Sequence, residues 1–233
     1  NRLGFSQNEI SLLLTNKELL NFVEWDFIMS HLANAHQIKN KENFKQLDKT
    51  LQFSKNLPNI KLSLANSGGI MLGAKYCLDQ TRPGIGLFGI DNFGNNIELN
   101  SRSLKLPLSL HGPVIQLRNV DIGEKISYGG VDITKRKSKL ATIGIGYADG
   151  WLRLLKPNSS FFIMKKKCKI LGNITMDSFV LDVTNLKEKS LKEGEYLCLL
   201  DNTNIKYMVT KLDIISYELL TIMGNRILRK YNS

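Results

Sequence analysis

The chain has 233 residues, enough for one large domain or two modest ones around a buried core. Hydrophobic residues make up 42% and charged residues 23%, and no apolar run approaches the roughly 20 residues that span a bilayer, so a soluble globular protein with no membrane partner is expected. The net charge of +11, from 32 Lys and Arg against 21 Asp and Glu, admits a nucleic-acid partner. The lysines are scattered, however, and the densest clusters, Lys135-Arg136-Lys137 and Lys165-Lys166-Lys167, carry no interleaved aromatics; a solvated surface and no nucleic acid are expected.

Cys77, Cys168 and Cys198 are odd in number and widely spaced. Apolar or strand-like surroundings make them buried free thiols, which suits a reducing, cytoplasmic setting. Nothing at the N-terminus resembles a signal peptide. The opening Asn1-Arg2-Leu3-Gly4-Phe5, without an initiator methionine, reads as the start of a fragment.

In chain order, Ser6 to Leu20 predicts a helix: Ser6 can cap it, Glu9 stands at capping-box spacing, and Ile10, Leu13 and Leu14 form an apolar stripe. Trp25 to His31 predicts a short buried strand. Phe44, Leu47 and Leu51 recur at helical spacing within Lys41 to Lys55. Ile60 to Leu64 predicts a strand, Ser67 to Tyr76 a short helix, and Gly84 to Gly89 follows a turn at Arg82-Pro83. Strands alternating with helices indicate about three parallel βα units, too few to close an eight-stranded barrel.

The polar stretch Asp91 to Ser101 marks a boundary. Beyond it, Val114 to Arg118, Lys139 to Gly144, Phe161 to Met164, Phe179 to Val183 and Tyr196 to Leu200 predict short strands in a mainly antiparallel β region, closed by a helix after Ile215.

Four patterns could carry chemistry. Ala65-Asn66-Ser67-Gly68-Gly69 joins a strand to a helix, where small residues let backbone N–H groups approach an anion; a plain tight turn would look the same. Arg82, in Thr81-Arg82-Pro83-Gly84-Ile85, stands at a strand terminus, where barrel enzymes place reacting groups; a surface salt bridge is the alternative. Tyr128, in Ile126-Ser127-Tyr128-Gly129-Gly130, can be presented to a ligand or can simply be a packing or turn residue. Gly144 to Gly150 and Gly172 to Asp177 each end a strand with turn chemistry. His31, His36 and His111 form no metal-ligand cluster with nearby acids, so no metal is expected.

In this order the patterns resemble one family, bacterial alanine racemase. The resemblance runs from Asn1 to about Tyr231. It takes in Arg2-Leu3-Gly4-Phe5, Ser30-His31, Ala65-Asn66-Ser67, Arg82-Pro83-Gly84-Ile85, Ser127-Tyr128-Gly129, Gly146-Tyr147-Ala148-Asp149-Gly150, Met176-Asp177 and Ser216-Tyr217-Glu218. It implies an α/β plus β fold: the C-terminal portion of a (β/α)8 barrel at 1–95, binding the cofactor, followed by a mainly antiparallel β-rich domain at 96–233. It also implies pyridoxal 5'-phosphate as cofactor, alanine as substrate, and a head-to-tail homodimer in which each site draws on the barrel of one protomer and the β domain of its partner.

The resemblance further implies roles for individual residues. Tyr128 would exchange a proton with the α-carbon of L-alanine. Because a phenol has an ordinary pKa near 10, it needs nearby positive charge, and His31 and Arg82 would support it. Arg82 would also donate to the cofactor's ring nitrogen. Ser67, Gly84, Ile85 and Tyr217 would bind its phosphate. Arg2 and the backbone of Met176 would meet the substrate carboxylate, while Tyr147 and Arg153 would line the entry corridor.

Two departures fall near that corridor: His36 stands where the family usually has aspartate, and Asn173 replaces a common arginine. The family's motif around its cofactor-holding lysine does not occur, and Lys61 and Lys75 lack its context, so this chain alone is expected to be inactive. Two further readings are a racemase of broader substrate range and a non-catalytic relic or dimerisation module of the family.

Overall fold

A computed structural model of the protein describes residues 2–57, 59–90, 104–151, 153, 155, 159–187, 191–211 and 214–231. They fall into two compact units: an N-terminal unit up to Leu87, and a C-terminal unit from Lys105 onward that also takes in Phe88–Ile90. The stretch 91–101, where the change of pattern marks a boundary, lies outside the described residues.

The N-terminal unit opens on α1 (Gln7–Thr15) and α2 (Lys17–Asn21) in place of one helix. The Ser6–Glu9 capping box starts α1: the Glu9 carboxylate accepts from the Ser6 N–H at 2.6 Å and the Ser6 hydroxyl accepts from the Glu9 N–H at 3.3 Å. Asn16 breaks the run. Its backbone is extended, and its side chain accepts from the Glu18 and Leu19 N–H groups, so it ends one helix and caps the next.

After β1 (Phe27–Met29), helix α3 (Lys41–Ser54) is capped by Asn40. Its buried face is Asn43, Leu47 and Thr50, whereas Phe44 and Leu51 of the expected apolar stripe are exposed. Asn43 wins a buried position because its amide donates to the Asn34 and Gln37 carbonyls, both at 3.1 Å, and so holds the loop before the helix.

Strand β2 (Lys61–Asn66) leads directly into α4 (Ser67–Leu72). Gly73, at φ +123°, separates α4 from a single 3-10 turn at Ala74–Tyr76, so the expected helix is divided in two. Strand β3 (Gln80–Arg82) completes a parallel sheet of order β1-β2-β3. The central strand buries Leu62, Ser63, Leu64 and Ala65 in succession, as a parallel strand covered on both faces must. Leu32, Ala35, Leu47 and Tyr76 pack around Leu64 and Ala65. The β1 strand was expected to be buried. It is a shorter edge strand with Phe27 and Met29 exposed.

The C-terminal unit is built on β4 (Leu110–Val120), β7 (Ser138–Ile143), β8 (Ser160–Ile163), β9 (Lys166–Leu171), β10 (Phe179–Asp182) and β11 (Tyr196–Leu200). They form a six-stranded antiparallel sheet of order β11-β4-β7-β10-β9-β8. Its end strands, β11 and β8, approach one another, so the sheet nearly closes. Trp151, Phe161 and Phe179 fill the interior with ring centroids 5.4, 6.0 and 6.2 Å apart.

Strand β9 is hidden in the sequence by its lysines. Lys167 and Lys169 face outward while Cys168 and Ile170 are buried between them. A short pair, β5 (Lys125–Ile126) and β6 (Asp132–Ile133), flanks Tyr128. Helix α5 (Asn202–Lys211) was not anticipated, and α6 (Ser216–Thr221) follows Ile215 as expected. Of the three free cysteines only Cys168 is fully buried; Cys77 and Cys198 are half-buried. Among the described residues no helix is long and apolar enough to cross a membrane.

Candidate active site

In the N-terminal unit the carboxyl ends of three parallel strands converge. Ser30-His31 follows β1, Asn66-Ser67 ends β2 and opens α4, and Arg82 is the last residue of β3. This edge is where parallel α/β folds place ligands.

The Arg82 guanidinium donates to the Ser63 hydroxyl, to the Ser30 carbonyl at 2.7 Å and to the Leu64 carbonyl at 3.5 Å, and it lies 3.3 Å from His31 Nδ1. These partners are all uncharged. The surface salt-bridge reading of Arg82 therefore finds no carboxylate among the described residues. The Arg82 Nε–H forms no hydrogen bond among them either.

His31 is held between Arg82 and Asn66. Guanidinium has no lone pair to offer, so Nδ1 must accept from Arg82. The Asn66 amide nitrogen lies 3.1 Å from Nε2, its orientation set because Asn66 Oδ1 accepts from the Gly69 N–H at 2.9 Å. With Nδ1 accepting, the single proton of the neutral ring is on Nε2, and a second proton on Nδ1 would face the guanidinium. Partial burial, then the charge of Arg82, then that of Arg2 hold the imidazole below its ordinary pKa. Burial also pulls the Arg82 guanidinium down from its usual value, which leaves it charged at any physiological pH. Asn66 thus joins the His31–Arg82 cluster, a placement that the motif alone did not reveal.

Ser67 is buried, and its Oγ accepts from the Gly84 N–H at 2.8 Å and the Gly86 N–H at 3.1 Å. Both lone pairs are then engaged and the hydroxyl proton is left to donate. A Cβ built on Gly84 would meet no atom within 4 Å, whereas one on Gly86 would lie 3.3 Å from Ser67 Oγ. Ile85 is buried behind this turn. A hydroxyl donor beside an open glycine suits an anion such as phosphate, and a fixed guanidinium with a spare Nε–H suits a ring nitrogen, so these residues fit pyridoxal phosphate. Lys75 lies over the Phe44 and Tyr76 rings, 5.8 and 5.1 Å from their centroids, and none of the hydrogen bonds in the cluster comes from a lysine. Arg2 is exposed, and its charge is felt at His31.

In the C-terminal unit Tyr128 is 79% exposed and opens a single 3-10 turn, Tyr128–Gly130. Ser127 precedes it at φ +61°, ψ −175°, a region that costs a non-glycine residue about 1–3 kcal/mol. The neighbouring loop holds it there: Ser127 Oγ donates to the Asn173 carbonyl at 3.2 Å, and the Asn173 amide donates to the Tyr128 carbonyl at 3.3 Å. Gly172 lies so close that an added Cβ would sit 2.4 Å from Ser127 Cβ. Asn173, expected near the corridor, is placed against the backbone of Tyr128.

A second loop pair carries Tyr147 and Met176. The Tyr147 N–H donates to the Thr175 carbonyl and the Ala148 N–H to the Met176 carbonyl, both at 3.0 Å. Gly146 permits this approach, because its Cβ would stand 2.2 Å from the Met176 oxygen. The Met176 N–H forms no hydrogen bond among the described residues. Arg153 stands in an exposed turn, and Tyr217 opens α6, partly exposed.

The family models for the alanine racemase N-terminal domain and the alanine racemase C-terminal domain match residues 1–92 and 107–231. The alanine racemase of Brucella canis is 39% identical over 99% of this chain and 61% of its own length; that of Rickettsia canadensis is 38% identical over 99% and 62%. The structure of alanine racemase from Bartonella henselae with covalently bound pyridoxal phosphate superposes at a TM-score of 0.90, with 36% identity over 100% of this chain and 64% of its own. That of the Acinetobacter baumannii enzyme gives 0.84, at 28% identity over 99% and 63%. The chain spans about three fifths of the length of the relatives it matches. Its fold is the C-terminal portion of a (β/α)8 barrel followed by a mainly antiparallel β domain, and the chain belongs to the alanine racemase family.

Proposed function

We propose that the whole protein interconverts L- and D-alanine with pyridoxal phosphate, by two-base exchange of the α-proton, and supplies D-alanine for peptidoglycan. The observation that carries this reading is the His31–Arg82 pair at the strand ends, where among the described residues Arg82 meets only neutral partners and its Nε–H forms no hydrogen bond. The cofactor-binding barrel portion is assigned to 1–95 and the β-rich domain to 96–233.

When bound, the cofactor withdraws electrons from the α-carbon and so acidifies its hydrogen. Ser67, Gly84, Ile85 and Tyr217 would hold the phosphate, with the Ser67 hydroxyl as donor. Arg82 would face the ring nitrogen, and because a guanidinium hardly gives up a proton it would supply a hydrogen bond there without transferring the proton. Tyr128 exchanges the proton on the L side. In this reading His31 and Arg82 are the residues that support Tyr128 in its role. Arg2 and the Met176 N–H receive the substrate carboxylate, and Tyr147 and Arg153 line the way in. A head-to-tail homodimer completes each site from two protomers.

The test is to incubate the whole protein with pyridoxal phosphate and L-alanine in D2O. D-alanine bearing an α-deuteron is the expected product, and its absence would contradict the proposal. The chain of 233 residues by itself, supplied with the cofactor, is expected to show no exchange. A wider substrate range is the second reading. It is favoured by the short neutral Asn173, turned toward Tyr128 where the family commonly has arginine, and measurable serine racemisation in the same assay would support it.

A further inference from the structure

The two candidate substrate loops of the C-terminal unit are fastened by a residue from outside both. Arg226, beyond α6, reaches Asp177 Oδ1 with its NH2 at 2.6 Å and Asp149 Oδ1 with its Nε at 3.3 Å. Asp149 is mostly buried, and its second oxygen accepts from the Gly146 N–H at 2.8 Å. The segment that brings Arg226 there is itself seated on the first loop. Gly224 donates to the Asp149 carbonyl at 3.0 Å, and Gly150, at φ +92°, lies so close to Ile222 that a Cβ would stand 2.1 Å from its carbonyl oxygen.

One guanidinium therefore bridges the carboxylate beside Tyr147 and the carboxylate next to Met176. Two backbone hydrogen bonds join the loops directly, and a planar donor fork gripping one carboxylate on each loop adds a further link between them.

We propose that Arg226 is a positioning residue that fixes the Met176 N–H relative to Tyr147 and thereby sets how tightly the substrate carboxylate is held. The proposal rests on the reading of Met176 and Tyr147 as substrate-facing residues. Arg226 touches neither substrate nor cofactor and acts through Asp149 and Asp177. A displacement of the binding N–H by a fraction of an ångström weakens ground-state and transition-state binding alike, so its loss raises KM more than it lowers kcat.

The experiment compares the cofactor-loaded whole protein with its Arg226→Gln, Arg226→Lys and Asp177→Asn variants in steady-state racemisation of alanine. Expected for Arg226→Gln is a KM raised by about tenfold with kcat changed by less than about threefold. Arg226→Lys restores part of the loss. Asp177→Asn, at an exposed position that folding tolerates, moves KM in the same direction. If Arg226→Gln fails to fold, the Asp177→Asn and Arg226→Lys results decide. Unchanged KM in these variants overturns the proposal, as does a loss confined to thermal stability. If the unsubstituted protein binds the cofactor but does not racemise alanine, the functional reading fails instead, and the two failures are distinct.

Discussion

His31 shows how one residue's surroundings select its chemistry. Arg82 donates to Nδ1, and protonation is opposed in the folded protein by partial burial, Arg82 and Arg2. The folded pKa lies below the ordinary 6.5, so the unfolded chain takes up the proton first as pH falls. The stability gained from keeping His31 neutral is then fully present above about pH 6.5 and is lost as pH drops from there through the depressed folded value. Following the His31 ring resonances against pH is expected to give a midpoint below 6.5, and Arg82→Gln is expected to move it upward; a midpoint above 6.5 would contradict the arrangement. Arg82 was legible as a candidate because its motif ends a strand, whereas His31 was singled out only through the family resemblance. Asn66 and Ser63 were not, since a cap and a mid-strand serine gain their roles only when strands from distant parts of the chain become neighbours.

At the scale of elements, local pattern and tertiary contact disagree in instructive places. Strand β9 reads as a charged linker until its lysines are seen to alternate with buried Cys168 and Ile170. The α3 stripe misleads in the other direction, since Asn43 displaces Phe44 from the buried face by satisfying two carbonyls. Asn16 carries a helix break that apolar spacing conceals. The Tyr128 loop depends on contact with the loop at Gly172, where no side chain fits. Gly172→Ala combines a left-handed φ of +71° with a Cβ only 2.4 Å from Ser127. It is expected to cost about 2–4 kcal/mol in denaturant unfolding of the whole protein and to lower kcat more than it raises KM. Wild-type kcat in that variant would show that the loop contact does not hold Tyr128.

For the whole molecule, the switch from parallel βα units to an antiparallel sheet was legible because each half keeps its own periodicity. The near closure of β11 on β8 was not, because closure depends on register and twist that no single strand encodes. The two units supply complementary chemistry: a neutral imidazole locked to a guanidinium in one, and an exposed phenol on a strained loop in the other. We propose that both serve one reaction, with Tyr128 as the group that moves the proton of L-alanine. The most direct measurement is solvent deuterium exchange at the α-carbon of L-alanine by the whole protein carrying Tyr128→Phe, with cofactor absorbance followed in parallel. Exchange is expected to fall by about 10²–10⁴-fold while the absorbance persists; exchange at the wild-type rate would contradict the account.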